Sequence, residues 1–329
     1  MRRREFIAAL GAAPAWPFAA RAQQPERVRL IGLLMGFAET DPAAQSLVAA
    51  FRAALARLGW IEGSNLRLEI RWGNGTAARI GMFAKELVDL RPDVILGQTT
   101  PVVDALARET QTIPIVFTFV SDPIGSGFAA TFARPGGNIT GFTANDPALG
   151  GKWMELLKEV APRTAHAAVL FSSATAPQNK FFMPSLQAAA SSLAVQVSAV
   201  TVQAKDAIDG VIAAQARDPG GGLIVMPDPF NRTNRDLIIS SAARYGIPAI
   251  YDDRPYAESG GLMTYGADRS EEFRQAAGYI DRILKDQKPM DLPVQNPTKF
   301  ELIINLRTAK ALNIAVSQSL LSRADDVIE

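Results

Sequence analysis

The chain has 329 residues, with 34 basic and 33 acidic side chains, no cysteine and a single histidine, His166. The lack of cysteine excludes disulfides, thiolate metal sites, iron–sulfur clusters and cysteine nucleophiles, and one histidine argues against an imidazole metal site. The formal net charge of +1 gives no sign of a nucleic-acid partner or an anionic membrane surface.

The first 22 residues have the pattern of an export signal. Arginines at positions 2–4 precede an apolar run, residues 6–20, that Pro14 and Pro17 interrupt, and Ala20-Arg21-Ala22 offers small residues for cleavage. The run is too short and too broken to anchor the chain in a bilayer. The pair Arg3-Arg4 also fits the twin-arginine export pattern, and no cysteine is present for lipid attachment. Cleavage near Ala22 would leave 307 residues with a net charge of −2, and we expect a periplasmic location.

Apolar runs typical of buried strands alternate with helical patterns through the rest of the chain. Because the connections are short, this order predicts parallel sheets covered by helices on both faces. The first half predicts strands at 30–35, 66–71, 93–97 and 113–120, with helices at 47–58, 80–90 and 101–108. The second half predicts strands at 167–172, 195–202, 223–226 and 247–251, with helices at 179–193, 206–216 and 231–244.

Several further elements link or follow these halves. Residues 139–142 predict a short strand-like link between the halves, and 262–265, 271–285 and 300–306 predict a strand, a helix and a last strand. Two halves of matching order predict two similar lobes, and elements added after the second half imply that the chain crosses between lobes more than once, which makes a hinge.

In parallel sheets, ligands bind beyond the carboxyl ends of strands, where helix N-termini expose free N–H groups. Thr100 and Pro101 follow the third strand as a predicted N-cap and first helical residue, so amides beside Thr99 and Thr100 could hold a carboxylate; the alternative is an ordinary helix cap. Ser121 and Asp122 follow the fourth strand. There Asp122 could pair with an ammonium group or simply form a turn before proline.

Equivalent positions in the second half are Ser173, Asp228 and Asp252. Phe37, Phe119, Tyr251 and Tyr265 could form an aromatic wall for a ligand, although each alone is more typical of a core residue. Asp252 and Asp253 are adjacent, so their side chains point to opposite faces of an extended segment. A solvated turn is therefore favoured over a catalytic carboxylate pair.

No pattern in the sequence indicates catalysis or a bound nucleotide. Residues 125–130 fit the G-x-G-x-x-A fingerprint, but the strand–turn–helix context is missing because Pro135 would end the helix. His166 begins a strand, at the end of the sheet opposite the predicted cleft, which argues against a Ser–His–Asp arrangement. We therefore predict a protein that is not an enzyme and needs no cofactor.

Long segments of the chain resemble the substrate-binding proteins of ABC transporters, and most closely their tryptophan-type branch. The resemblance is carried by residues 93–101, 120–125, 134–141, 260–266, 300–309 and 321–326. It implies a type I periplasmic-binding-protein fold, an α/β architecture of two doubly wound parallel-sheet lobes joined by three crossings. On this basis residues 27–140 and 254–297 would form the first lobe, and 141–253 and 298–329 the second.

The resemblance also implies a function. The protein would be a monomeric periplasmic receptor that closes on a small polar or amphipathic ligand, an amino acid or a relative, and passes it to an inner-membrane permease. A ligand sensor that presents its closed form to a membrane signalling protein is the alternative, and a two-lobed racemase-like enzyme lacks the acid–base pair that it would need. The expected ligand-binding residues are Phe37, Thr99, Thr100, Phe119, Ser121, Asp122, Ser173, Asp228, Tyr251, Asp252 and Tyr265.

Overall fold

The computed structural model describes residues 27–176, 178–217 and 219–329. The predicted export signal at residues 1–22 lies outside the described residues. Within the described ranges, no helix is both long and apolar enough to cross a lipid bilayer.

Strands and helices alternate along most of the described chain. The strands are β1 (Arg29–Met35), β2 (Leu66–Trp72), β3 (Val94–Gln98), β4 (Ile115–Ser121), β5 (Ile139–Asn145), β6 (His166–Phe171), β7 (Gln196–Thr201), β8 (Gly221–Val225), β9 (Ala249–Tyr251), β10 (Met263–Ala267), β11 (Phe300–Asn305) and β12 (Asp326–Ile328). The helices are α1 (Pro42–Arg57), α2 (Ala77–Asp89), α3 (Thr100–Glu109), α4 (Leu149–Val160), α5 (Asn179–Ser192), α6 (Ala207–Gln215), α7 (Pro229–Thr233), α8 (Arg235–Arg244), α9 (Arg254–Glu258), α10 (Arg269–Leu284), α11 (Leu306–Ala311) and α12 (Gln318–Leu321).

The first sheet has the strand order β2-β1-β3-β4-β5, and its paired strands all run parallel. One face packs against α1 and α10, and the other against α2 and α3, so the sheet has an apolar core on each side. Burial on both faces explains the continuous apolar runs of β1, β3 and β4. The predicted link at 139–142 is part of β5, a complete edge strand of this sheet.

The second sheet has the order β12-β11-β10-β9-β8-β6-β7. It is parallel from β7 through β10, whereas β11 runs antiparallel to β10 and carries β12 along its outer edge. Helices α4 and α5 cover one face, and α6 and α8 cover the other. The predicted pair of helix-covered, mostly parallel lobes is confirmed.

Three helices near the junction of the lobes begin with an aspartate cap. Asp41, Asp228 and Asp268 each accept a hydrogen bond from the backbone N–H two residues later, at the starts of α1, α7 and α10. Such a cap satisfies an amide that the helix itself cannot, and its negative charge suits the positive end of the helix. These caps therefore fix the starts of the helices that surround the cleft.

The chain crosses between lobes three times: after β5, between β10 and α10, and before β11. The first crossing therefore follows residue 145, not residue 140. Residues 254–267, expected in the first lobe, lie in the second, because β10 pairs with β9 and β11 and α9 packs beside them. The sequence predicts the strand at 262–265 but does not indicate which sheet it joins.

Other differences are local. The helix predicted at 231–244 is two helices, α7 and α8, because Asn234 has non-helical backbone angles between them. Helix α4 and strand β12 were not predicted. The G-x-G-x-x-A segment at 125–130 forms turns in the structure, without the helix that the nucleotide fingerprint requires.

Candidate functional site

A narrow cavity lies between the lobes, beyond the carboxyl ends of the strands of both sheets. The centre of a water-sized sphere can move through only about 20 Å³ of this cavity. That is close to the space that one water molecule needs. The lobes are therefore closed on each other. The lining residues are Phe37, Thr99, Thr100, Phe119, Ser121, Asn145, Gln178, Pro227, Asp228, Pro229, Arg232, Asp252, Asp253, Tyr256 and Arg269.

The N-terminus of α3 forms one wall of the cavity. Thr99 caps the helix with a left-handed backbone, φ 81°, and its side chain makes no capping bond. Its hydroxyl is buried and has no partner among the described residues. Thr100, predicted as the cap, is instead the first helical residue, and its Oγ1 accepts a hydrogen bond from the Ser121 amide at 3.1 Å. The helix thus presents a free hydroxyl and first-turn amides to the cavity.

Aromatic rings from the first lobe lie beside two arginines. The rings of Phe37 and Phe119 have centroids 6.2 Å apart. The guanidinium of Arg232 lies over Phe37, 5.1 Å from the ring centroid, and that of Arg269 lies over Phe119 at 4.5 Å. Cations attract the faces of aromatic rings, so this wall combines apolar area with positive charge.

A network of two buried arginines and two buried aspartates lies where the lobes meet: Arg269 begins α10 of the first lobe, whereas Arg232, Asp252 and Asp253 belong to the second. Arg232 donates to Asp253, Arg269 donates to Asp252, and a second Arg269 nitrogen lies 3.6 Å from Asp253. All four side chains are at least nine-tenths buried. The predicted solvated turn at 252–253 is therefore wrong: Asp252 ends β9, Asp253 precedes α9, and arginines from other segments neutralise both.

The two aspartates differ in their protonation equilibria. Burial alone raises the pKa of each carboxyl. At Asp253 the charges of Arg269 and Arg232 outweigh burial and hold the pKa below its ordinary value. At Asp252 burial outweighs the attraction of Arg269, and the pKa is raised. Asp253 therefore loses its proton more readily than Asp252 and forms the stronger ion pairs with the arginines.

Asp228 organises a loop of the second lobe. Its carboxylate accepts hydrogen bonds from the Ser172 amide at 2.7 Å, the Thr175 hydroxyl at 2.5 Å and the Phe230 amide at 2.9 Å. Complete burial is the largest influence on this carboxyl, and the pKa is raised to about 6 despite these donors. Three internal donors leave little capacity for a ligand, so the main role of Asp228 is to hold the cleft loops.

Contacts across the cleft hold the lobes together. Asp41, in the first lobe, accepts a hydrogen bond from Arg232 Nε, in the second, at 2.8 Å, and both side chains are buried. Gly75 of the first lobe packs directly on α7, where an added Cβ would lie 2.6 Å from the Pro229 carbonyl oxygen. Arg269 of α10, in the first lobe, also pairs with Asp252 of the second lobe, so the closed form depends on buried ion pairs and on one close backbone contact.

A protein-family model described as "ABC transporter substrate binding protein" matches residues 37–328. The chain belongs to this family. Among the residues that the structure describes, no group of three or more acidic or histidine side chains could hold a metal ion.

Relatives of this substrate-binding protein include proteins that bind aromatic amino acids. A tyrosine-binding protein of Clostridioides difficile (strain R20291) is 25% identical over 280 residues, which cover 83% of this chain and 78% of that protein. An ABC domain from Streptococcus pneumoniae, solved in complex with L-Trp, has a TM-score of 0.83 at 24% identity and covers 91% of this chain and 99% of its own. A conserved domain protein of Vibrio cholerae has a TM-score of 0.84 at 26% identity, over 92% and 100% of the two chains.

The cavity of this substrate-binding protein brings together seven of the residues that were expected to bind ligand. These are Phe37, Thr99, Thr100, Phe119, Ser121, Asp228 and Asp252. Six of the seven end a strand or follow its end within three residues, and Phe119 lies two residues before the end of β4, as the strand-end rule predicts.

Four expected residues are absent from the described lining of the cavity. Asp122 accepts the Gly125 amide at 2.8 Å and forms a turn, and Ser173 is exposed. Tyr251 stacks on Tyr256 inside the second lobe. Tyr265 stacks on Phe300, 5.8 Å between centroids. A strand-end position does not fix which way a side chain points, so residues at such positions can lie outside the cavity.

The cavity also includes residues that sequence reasoning missed. Arg232 and Arg269 stand in the first turns of α7 and α10, so the same strand-end rule could have found them. Asn145 was missed because β5 was predicted only as a link that ends at 142. The remaining missed residues are Gln178, Pro227, Pro229, Asp253 and Tyr256.

Proposed function

We propose that this substrate-binding protein captures a small amphipathic ligand, an aromatic amino acid or a close relative, and delivers it to an ABC transporter permease. The observation that carries the proposal is a set of buried hydrogen-bonding atoms without partners among the described residues. On the cavity these atoms are Thr99 Oγ1, Asn145 Oδ1, Gln178 Oε1 and Arg269 Nε.

The unpartnered donors suit a carboxylate. Thr99 Oγ1 and the first-turn amides of α3 lie at the positive end of a ten-residue helix, where a carboxylate is stabilised. Arg269 Nε adds a cationic donor to the same cavity. These groups support recognition of an acidic ligand group from the first-lobe side.

The unpartnered acceptors suit an ammonium group. Gln178 donates its Nε2 to the Pro227 carbonyl at 3.0 Å, which fixes its Oε1 as a free acceptor, and Asn145 offers Oδ1. Free donors and free acceptors in one small cavity favour a zwitterion over a simple anion, because buried polar atoms need partners.

The aromatic wall supports an apolar side chain on the ligand. Phe37 and Phe119 offer ring surface, and the named relatives bind tyrosine and are seen with L-Trp. The closed cavity leaves the centre of a water-sized sphere only about 20 Å³, which is too little space for an amino acid, so the ligand would enter while the lobes are apart. Closure around it would then displace the rings and arginines from their present positions.

Calorimetric titration of the protein without residues 1–22 tests the ligand. L-Tryptophan, L-tyrosine and L-phenylalanine are the probes, with L-leucine, the corresponding D-amino acids and indole as matched controls. We expect saturable binding of at least one aromatic L-amino acid and a raised melting temperature, since only the folded state binds. Equal affinity for indole and L-tryptophan would contradict recognition of the zwitterion.

Delivery to a permease is tested by reconstitution. Uptake of the labelled ligand into proteoliposomes that contain the cognate permease and ATPase should require this protein. If the protein binds ligand but uptake is independent of it, the signalling alternative is favoured. For export, replacement of Arg3 and Arg4 by lysine should abolish periplasmic accumulation if the twin-arginine route is used, whereas the general route tolerates lysine.

A further inference from the structure

The backbone at Phe119 departs from regular strand geometry. Its φ of 58° lies in the left-handed region, where a bulky side chain is an outlier. The pairing of β4 with β5 shifts register between Phe117 and Val120. The shift leaves the Phe119 amide outside the regular hydrogen-bond ladder, although the residue is buried, so this amide needs another acceptor.

Glu272 supplies that acceptor. Its Oε2 accepts the Phe119 N–H at 3.1 Å, across 153 residues of sequence. The carboxyl is only 4% exposed, and its other oxygen, Oε1, has no partner among the described residues. A buried carboxyl group whose single hydrogen bond is to a strained amide is unusual, because burying a carboxyl without compensating hydrogen bonds is unfavourable.

The same end of α10 also holds the Phe119 ring. Arg269 lies over one face of the ring, 4.5 Å from its centroid, and Phe273 meets it edge-on at 5.7 Å. These three residues of α10 therefore contact the backbone, the face and the edge of a single cavity residue. Helix α10 begins directly after a crossing between the lobes, so the aromatic wall is tied to the hinge.

We propose that Glu272 is a positioning residue for ligand binding: its hydrogen bond to the Phe119 amide holds the left-handed backbone that turns the Phe119 ring toward the cleft. Glu272 does not line the cavity and acts only through Phe119. The inference rests on the proposed function for its affinity readout, but the geometry of Phe119 can be measured without any ligand.

Two variants separate the hydrogen bond from the charge. Glu272→Gln keeps a carbonyl oxygen that can accept the amide but removes the ionisable carboxyl group near Arg269. Glu272→Met keeps similar length and removes both. We expect the Met variant to bind L-tryptophan or L-tyrosine about tenfold more weakly, the Gln variant to stay within about threefold of wild type, and the Met substitution to add nothing when Phe119 is already alanine.

Amide hydrogen exchange at Phe119 supplies the ligand-free readout. Protection should be lost in Glu272→Met and retained in Glu272→Gln. The proposal is overturned if the Met variant keeps both protection and affinity, or if the Gln variant loses as much as the Met variant, because loss of the hydrogen-bond acceptor would then not explain the effect. Should Glu272→Met fail to fold, Glu272→Asp, which withdraws the acceptor by one methylene, should lose protection at Phe119; full protection there overturns the proposal.

If neither aromatic amino acid binds the wild-type protein, the proposed ligand class is wrong. The exchange measurement still decides the role of Glu272, so the two failures are distinguishable.

Discussion

The two walls of the cleft differ in whether their polar side chains already have hydrogen-bonding partners. The first-lobe wall carries strained backbone and polar atoms without partners: Thr99 and Phe119 have left-handed φ, and Thr99 Oγ1 and Asn145 Oδ1 are unpaired among the described residues. In the second-lobe wall, Asp228, Arg232 and Asp253 are already paired. Polar atoms without partners are available to bind a ligand. Charges that are already paired instead stabilise the wall and the closed arrangement of the lobes. Among the described second-lobe residues that line the cavity, Gln178 is the exception, because its Oε1 has no partner.

Loss of Arg232 should have the largest effect, because it would leave Asp41 and Asp253 as buried carboxylates without their main partner. Breaking a buried ion pair from one side costs about 3–5 kcal/mol, so Arg232→Met should lower the free energy of unfolding by that order in urea denaturation. The matched control is Arg244→Met, whose ion pair with Asp209 is solvent-exposed and worth about 0–1 kcal/mol. Equal losses in the two variants would contradict a supporting role for the second-lobe wall.

Asp228 should make stability depend on pH. Its folded pKa of about 6 lies above the ordinary value of 3.8, so the folded state binds the proton more tightly. The resulting stabilisation is complete below about pH 4 and is lost as pH rises through about 6, for a change of up to about 3 kcal/mol. We expect Asp228→Asn to lack this decrease between about pH 4 and pH 7, while Asp236→Asn, at an exposed aspartate, keeps it. Parallel profiles for wild type and Asp228→Asn would exclude Asp228 as the source.

Gly75 tests closure separately from recognition. A methyl group at Gly75 would meet the Pro229 carbonyl across the cleft, whereas one at Gly127 meets nothing within 4 Å. Both glycines have positive φ, so alanine strains each backbone by about 1 kcal/mol. Gly75→Ala should weaken ligand affinity by about tenfold or more because closure is blocked, and Gly127→Ala should not. X-ray scattering should show that the radius of gyration of Gly75→Ala no longer falls on addition of ligand; if it still falls, the contact does not govern closure.

Thr99 and Thr100 are adjacent residues of the first-lobe wall, and we expect one to affect ligand affinity and the other to affect stability. Thr99→Val removes a hydroxyl that has no internal partner, so affinity should fall by about tenfold with little change in stability. Thr100→Val removes the acceptor of the Ser121 amide and should lower the free energy of unfolding by about 1–2 kcal/mol. Calorimetric titration and urea denaturation of the pair should give opposite patterns. A shared pattern would mean that the two hydroxyls have the same role.

The fold was largely predictable because buried strands and amphipathic helices have strong local patterns. Helix α5, for example, was predicted to begin at Asn179, where the structure begins it. Sheet membership was harder, since β10 looks the same whichever lobe it joins. The first-lobe wall was also predictable, because Thr99, Thr100, Phe119 and Ser121 are positioned by the strand ends themselves.

The ion pairs of the second-lobe wall could not be predicted because they connect distant parts of the chain. Asp41 and Arg232 lie 191 residues apart, and no local pattern relates them. Adjacent aspartates at 252–253 resemble a polar turn unless the two arginines that reach them are known. Long arginine side chains act far from their own backbone, so periodicity gives little information about where their charge lies.

The three crossings make each lobe discontinuous in sequence. The apolar core of the first lobe includes Phe273, Ile280 and Leu284 of α10, which follow the strands of that lobe by more than a hundred residues of second-lobe chain. No single cut can release either lobe intact, and a nascent chain cannot complete the first core until α10 has left the ribosome. Contacts of such long sequence separation slow folding, so we expect the two lobes to become stable together, near the end of synthesis.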